Sequence, residues 1–234
     1  MRSRGRGLTV RVASLAAPTL TKQCWGFMIG ASFFAVGSAP GITDVVGSTG
    51  SNVLYFVGAW FFTTAGLVQV ALSGPVPTRG QHGQGRRVRA EWLSAAIQSL
   101  GTILFNLSTT AALHASSVAA QEQEVWSPDA AGSVAFLVSG ALAFVAFAHA
   151  GLRRDVRSRP WWSVVVNAAG CVAFGVSAGA AFVLPSGHDL DVSVANGSTF
   201  VGAVCFLVAS LLVLPAWDRA PGRSPAGRSA TASD

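Results

Sequence analysis

The sequence predicts an all-α, polytopic membrane protein of six transmembrane helices built as three like-oriented αα-hairpin repeats. Three observations predict it: apolar runs of membrane length, a one-sided distribution of basic residues, and a Gly–Phe motif that recurs in every run. Hydrophobic residues make up 51% of the 234 positions and charged residues 11%, and the mean hydropathy is +0.49. Because ordinary soluble domains carry about 25% charged residues, this composition favours a membrane protein over an unusually apolar soluble one.

The apolar residues cluster in segments of the length that a membrane helix needs. About 20 residues cross a hydrocarbon core of about 30 Å. Six such segments are present, and we take each as one predicted span: Cys24–Ile42, Asn52–Leu72, Trp92–His114, Ala131–Leu152, Trp161–Leu184 and Ser198–Trp217.

The basic residues predict the orientation of these spans. All 16 Lys and Arg residues lie in the N-terminal arm, the second and fourth connections, or the C-terminal tail. The other three connections carry acids and no Lys or Arg: Asp44, Glu122, Glu124, Asp129, Asp189 and Asp191. The positive-inside rule therefore predicts a multi-pass protein of the cell membrane with both termini in the cytoplasm.

The chain divides accordingly into hairpins and polar segments. Residues 1–21 form a basic arm, in which Leu8 to Leu20 could make a short amphipathic helix. The tail is rich in Pro, Ser and Gly and is expected to be disordered. The predicted segments are hairpin 1 (22–74), a cytoplasmic linker (75–91), hairpin 2 (92–152), a cytoplasmic loop (153–160), hairpin 3 (161–217) and the tail (218–234).

The net charge of +6 is read as a topology signal, not as a sign of nucleic-acid binding. The expected partners are the lipid bilayer and anionic lipid headgroups at the cytoplasmic face. The sequence points to no protein partner, and it leaves both a monomer and a homo-oligomer open.

Each predicted span contains the pattern Gly-x3-Phe-x2-small. Its Gly and Phe positions are Gly30 and Phe34, Gly58 and Phe62, Gly101 and Phe105, Gly132 and Phe136, Gly170 and Phe174, and Gly202 and Phe206. Offsets of four and seven residues lie on one helical face. Close packing through small residues is a main source of helix association in lipid, so this face is predicted to be a helix-packing seam.

The motif also has a longer period. Gly30 and Gly101 are 71 residues apart, and Gly101 and Gly170 are 69 apart. Each of these glycines opens a hairpin that starts on the cytoplasmic side. The repeats are therefore parallel, about an axis along the membrane normal, and a pseudo-threefold arrangement is the hypothesis that follows.

The segments GFMIGASFFAVGS and YFVGAWFFTTAGLVQ of hairpin 1 resemble the YrhK-type domain of small bacterial membrane proteins, a two-helix hairpin with similar Gly- and Phe-containing cores. Hairpins 2 and 3 are similar more loosely, with Ser108 and Ser177 where Gly37 stands. The resemblance implies a fold unit and no site.

A few amides inside the spans are the candidate functional residues. Gln98 and Asn167 each lie three residues before a motif glycine, Gln69 lies on the seam of span two, and Asn106 adds polarity to span three. One interpretation is hydrogen bonding between helices, worth about 0.6 kcal/mol on average in membranes. The sharper hypothesis is that these residues line a polar cavity opened between hairpins.

No catalytic, metal or cofactor pattern is found. No acid or base lies in the middle of a span, which disfavours a proton-coupled pump. Cys24, Cys171 and Cys205 lack metal-ligand spacing. A non-enzymatic structural or accessory role is therefore expected first. The alternative is a transporter or channel for a small or neutral solute, and a membrane enzyme acting on lipids comes last.

Overall fold

The computed structural model describes residues 17–75, 77–78, 87–150 and 156–215. The described residues form six long helices, and Pro77–Thr78 (β1) pairs antiparallel with Arg87–Val88 (β2). The helices are α1 (Leu20–Gly37), α2 (Ile42–Leu72), α3 (Ala90–Ala111), α4 (Val118–His149), α5 (Arg159–Ala180) and α6 (Val192–Leu212). Most of the predicted arm and tail, and parts of the linker and of the loop 153–160, lie outside the described residues.

Side-chain caps fix where four of these helices begin, and at the start of α4 the Ser117 hydroxyl accepts a hydrogen bond from the Ala120 amide at 3.2 Å. The Thr19 hydroxyl accepts a hydrogen bond from the Lys22 amide at 3.3 Å at the start of α1. Ser158 caps α5 in the same way, and the Asp191 carboxylate accepts from the Val194 amide at 3.0 Å at the start of α6. Such caps satisfy amide groups that have no partner within the helix.

The observed helices differ from the predicted spans mainly at their first residues. Helix α2 begins at Ile42, not Asn52, and is kinked at Gly47, whose φ of 71° is left-handed. Helix α4 begins at Val118, not Ala131, and includes a π-helical segment, Gln121–Trp126. Glu122, Glu124 and Asp129, predicted to lie in a loop, are therefore helical. An apolar run shows which part of a helix suits the membrane interior. The helical hydrogen bonding of the backbone can begin earlier, in polar residues, so the observed helices are longer than the runs.

Four of the described helices are long and apolar enough to span a membrane: α2, α4, α5 and α6. The prediction of an all-α protein is confirmed, and these four helices are candidate membrane spans by their length and composition. Helices α1 and α3 are less apolar. Helix α1 begins with the polar residues Thr21, Lys22 and Gln23, and α3 contains Gln98, Asn106 and several buried serines and threonines.

The six helices form a closed ring. Each helix packs on the next one along the chain, and α6 returns to pack on α1. The contacts are most extensive within three successive pairs, α1–α2, α3–α4 and α5–α6. The ring therefore alternates between tighter and looser helix interfaces.

Within the α1–α2 pair, two glycines allow the backbones to approach closely. A Cβ atom on Gly30 would lie 2.9 Å from the Gly58 carbonyl oxygen and 2.9 Å from the Phe62 ring. A Cβ atom on Gly58 would lie 2.7 Å from the Phe34 ring. Each glycine is thus covered by the phenylalanine of the partner helix.

The same contact recurs in the other two pairs. A Cβ on Gly101 would lie 3.0 Å from the Gly132 carbonyl oxygen, and one on Gly202 would lie 3.2 Å from that of Gly170. The phenylalanine of the partner helix again covers each glycine. These covering residues are Phe105, Phe136, Phe174 and Phe206.

The six motif phenylalanines meet at the centre of the ring. They are at most 5% exposed. Phe34, Phe105 and Phe174 form a triangle with ring centroids 5.7 to 6.3 Å apart. Phe206 contacts Phe62 and Phe136 at 6.1 and 5.5 Å. We call these six side chains the aromatic core.

Replacing Gly30 by Ala should destabilise the bundle by about 1–3 kcal/mol, since the new methyl group would overpack a contact with backbone. The matched control is Gly197→Ala in α6, where a Cβ would meet nothing within 4 Å. That variant should be neutral, or more stable by up to about 1 kcal/mol. Unfolding of the detergent-solubilised protein in SDS measures both free energies. Equal stability of the two variants would contradict the glycine contact.

Candidate functional site

A cavity of about 150 Å³ lies on one side of the aromatic core. It is at the end of the bundle where the described residues Lys22, Arg89 and Arg159 lie, and we call it the basic-end cavity. All three helix pairs line it from corresponding positions. Gln23, Ser94 and Ser163, for example, each stand seven residues before the motif glycine of their helix.

Three of the four amides singled out in the sequence lie at this cavity: Gln69, Gln98 and Asn167. Gln98 is buried, and its Oε1 accepts a hydrogen bond from the Ser139 hydroxyl at 3.1 Å. The Gln69 Oε1 is buried without a partner. The Asn167 Nδ2 lies 3.8 Å from the Cys171 sulfur, a weak contact within α5. The cavity therefore presents neutral amides with unused hydrogen-bonding capacity.

Asn106, the fourth amide, joins two helices away from either cavity. Its Nδ2 donates to the Ala59 carbonyl at 3.1 Å and to the Thr63 hydroxyl, both on α2. It also contacts the Thr102 carbonyl of its own helix at 3.2 Å. Asn106 thus connects the α1–α2 pair to the α3–α4 pair.

A second cavity, of about 310 Å³, lies on the other side of the aromatic core. Phe34 and Phe174 belong to its wall, and it reaches the bundle end where Gln121 and Asp189 lie. We call it the acidic-end cavity, because the connections at this end carry acids and no Lys or Arg.

Corresponding residues of the three pairs line this cavity too. Tyr55, Asp129 and Thr199 each precede a motif glycine by three positions. The Thr199 hydroxyl bonds to that of Ser177 on the preceding helix, with 2.7 Å between the oxygens, and Tyr55 lies beside Ser38, which follows α1. The cavity therefore has a polar wall above its aromatic floor.

Asp129 differs from these two residues. Among the described residues its carboxylate makes no side-chain hydrogen bond, and the ion pair between Arg89 and Glu91 does not involve it. Asp129 is half-buried at the cavity wall and close enough to Tyr55 for its charge to act on that phenol. An unpaired carboxylate thus faces a confined space.

Asp189 adds a second carboxylate at the mouth. It lies in the connection between α5 and α6, where Val183 and Asp189 form an isolated β-bridge. Partial burial raises the pKa of Asp189 above its ordinary value, and the neighbouring His188 lowers it in part. Its negative charge is added to that of the other acids at this end.

Two further side chains at this cavity connect neighbouring pairs. The Asn52 Nδ2 donates to the Ala112 carbonyl at 3.2 Å, and the Trp126 indole donates to the Ala178 carbonyl at 2.9 Å. Both residues precede a motif glycine by six positions. Sequence reasoning missed them, although extending the alignment of the motif by one further turn would have found them.

Among the described residues no group of three His, Cys, Asp or Glu side chains is placed to hold a metal ion. The two cavities offer amides, hydroxyls, the carboxylates of Asp129 and Asp189, and aromatic rings, which suit reversible binding of a polar molecule. No family model, no curated protein and no solved structure matches the chain.

Proposed function

We propose that this chain is a non-enzymatic integral membrane protein with a structural or accessory role. In this proposal six helices cross the cell membrane as three like-oriented hairpins, and both termini lie in the cytoplasm. The aromatic core is the observation that carries the proposal, because it fills the centre of the ring between the two cavities.

Packing depth supports six spans. Gly30 and Gly58 meet near the middle of α1 and α2, and Gly101 and Gly132 meet within α3 and α4. A helix that contacts a spanning helix at mid-length lies at the same depth as that helix. If α2 and α4 cross the membrane, α1 and α3 therefore cross beside them.

The outward surface of α3 supports the same conclusion. Leu100, Ile103 and Leu107 are 52%, 42% and 57% exposed and lie on one face. The buried face of α3 carries Ser94, Gln98 and other polar groups. A helix with a polar inner face and an apolar outer face suits a lipid environment. The low overall hydropathy of α3 comes from its inner face, where the polar side chains make hydrogen bonds.

The three hairpins are proposed to be repeats because corresponding side chains make corresponding contacts. Ser94 donates to the Ser139 carbonyl of α4 at 2.9 Å, and Ser163 donates to the Ala209 carbonyl of α6 at 2.9 Å. The hairpin with a Gly- and Phe-containing core is also the unit implied by the resemblance to the YrhK-type domain, which stays part of the proposal.

Single-cysteine labelling tests the topology. A membrane-impermeant maleimide should modify Asp44→Cys, Glu122→Cys and Asp191→Cys in intact cells, because six spans place all three residues outside. Val156 is 70% exposed, and Val156→Cys should react only after permeabilisation, because six spans place it in the cytoplasm. The wild type, in which Cys24 and Cys171 are buried and Cys205 is half-buried, gives the background.

Glu122 is the decisive position. If only α2, α4, α5 and α6 crossed the membrane, Glu122 would lie on the opposite side from Asp44. Labelling of Asp44→Cys and Glu122→Cys from opposite sides would overturn the six-span proposal.

A second candidate function is a gated pathway for a small neutral solute. It is favoured by the two polar cavities, which lie on opposite sides of the aromatic core. Hydrophobic constrictions of this kind close membrane pores by excluding water.

Flux into proteoliposomes distinguishes the two functions. Wild-type protein should admit urea no faster than empty liposomes if the core is permanently closed. Phe174→Ala should raise urea flux several-fold in either case, since Phe174 contacts Phe34, Phe105 and Phe206 at the centre. The control is Phe61→Ala, which removes a partly exposed ring stacked on Phe33 at the outer surface. Unchanged flux in Phe174→Ala would show that this core is not the barrier, and wild-type flux above background would favour the pathway.

A further inference from the structure

We infer that the acidic-end cavity is a binding site for a small organic ammonium compound. Its volume of about 310 Å³ lies at the lower limit of cavities that hold small molecules. Its wall combines the unpaired Asp129 carboxylate with the rings of Tyr55, Trp126 and Phe174. This inference concerns binding and goes beyond the structural role proposed above.

The charge distribution selects a cation. Six of the ten acidic residues of the chain lie in the segments of this end, and none of the 16 basic residues does. A confined space with one sign of charge and low-dielectric walls concentrates counter-ions. The Asp129 carboxylate has no cation among the described residues to neutralise it, so a bound cation would supply the missing partner.

The lining selects an organic cation over a metal ion. Calcium and magnesium prefer six or more oxygen ligands in a defined geometry. Here the cavity wall includes aromatic rings and the bonded hydroxyls of Ser177 and Thr199, and no three His, Cys, Asp or Glu side chains of the described residues are placed to hold a metal ion. An ammonium group is attracted to the faces of aromatic rings, most strongly where water is excluded. The apolar part of such a compound would lie against Phe34 and Phe174 at the floor.

Isothermal titration calorimetry of the purified full-length protein in nanodiscs tests the inference. The probes are choline and benzyltrimethylammonium, and the control is 3,3-dimethyl-1-butanol, the neutral analogue of choline. The ammonium compounds should bind at least tenfold more tightly than the alcohol. No binding of either ammonium probe, or equal binding of the alcohol, would overturn the proposal.

Matched variants place the ligand. Asp129→Asn keeps the size of the side chain and should weaken binding at least tenfold. Glu124→Gln removes an equal charge from an exposed position of the same helix and should change affinity less than twofold. Unchanged affinity in Asp129→Asn would overturn the assignment to this cavity.

A variant that binds more tightly than the wild type separates the effect of charge from the effect of misfolding. Asn196 lines the cavity one turn from Thr199. Asn196→Asp adds a further carboxylate to those of Asp129 and Asp189 and should strengthen binding several-fold, an effect that loss of structure does not imitate. Weaker binding in Asn196→Asp would contradict the electrostatic basis of the site. Failure of this proposal leaves the labelling pattern of the six spans unaffected, so the two are tested separately.

Discussion

The contact between two glycine backbones, each covered by a phenylalanine of the partner helix, is the constraint on which the rest of the structure depends. Gly30 and Gly58 bring α1 and α2 so close that no Cβ fits between them. The rings that cover these glycines, Phe34 and Phe62, also reach the centre of the helix ring. Because α3–α4 and α5–α6 repeat this arrangement, six phenylalanines meet in one place and produce the aromatic core.

The aromatic core determines what the remaining polar residues can do. It divides the interior into two cavities, and the same helix faces supply different side chains to each. At the basic end these are neutral amides such as Gln98, whereas Asp129 brings a carboxylate to the acidic end. The recurring Gly–Phe contact thus provides a common frame, and Asp129, which stands where the other two helix pairs have Tyr55 and Thr199, brings a carboxylate to the wall of the acidic-end cavity.

Much of the fold follows from local pattern, because a helical face is fixed by spacing along one segment. The Gly-x3-Phe spacing therefore predicts which residues lie on the seam, and Gly101 does meet Gly132. Spacing does not determine which neighbouring helix a face meets. That is why Asn106, which bonds to α2, was grouped with Gln98, which lies at a cavity. Hydropathy likewise does not predict the polar first turns of α4, since the backbone hydrogen bonds of a helix form whether the side chains are polar or apolar.

We propose that three equivalent hairpins surround one aromatic core in a bilayer. Ser32, Ile103 and Val172 each follow a motif glycine by two positions and are exposed on α1, α3 and α5. Nitroxide labels at these sites, paired two at a time in nanodiscs, report three distances by double electron–electron resonance. Pseudo-threefold packing predicts three mean distances that agree within the width contributed by the labels. One distance clearly different from the other two would contradict the claim.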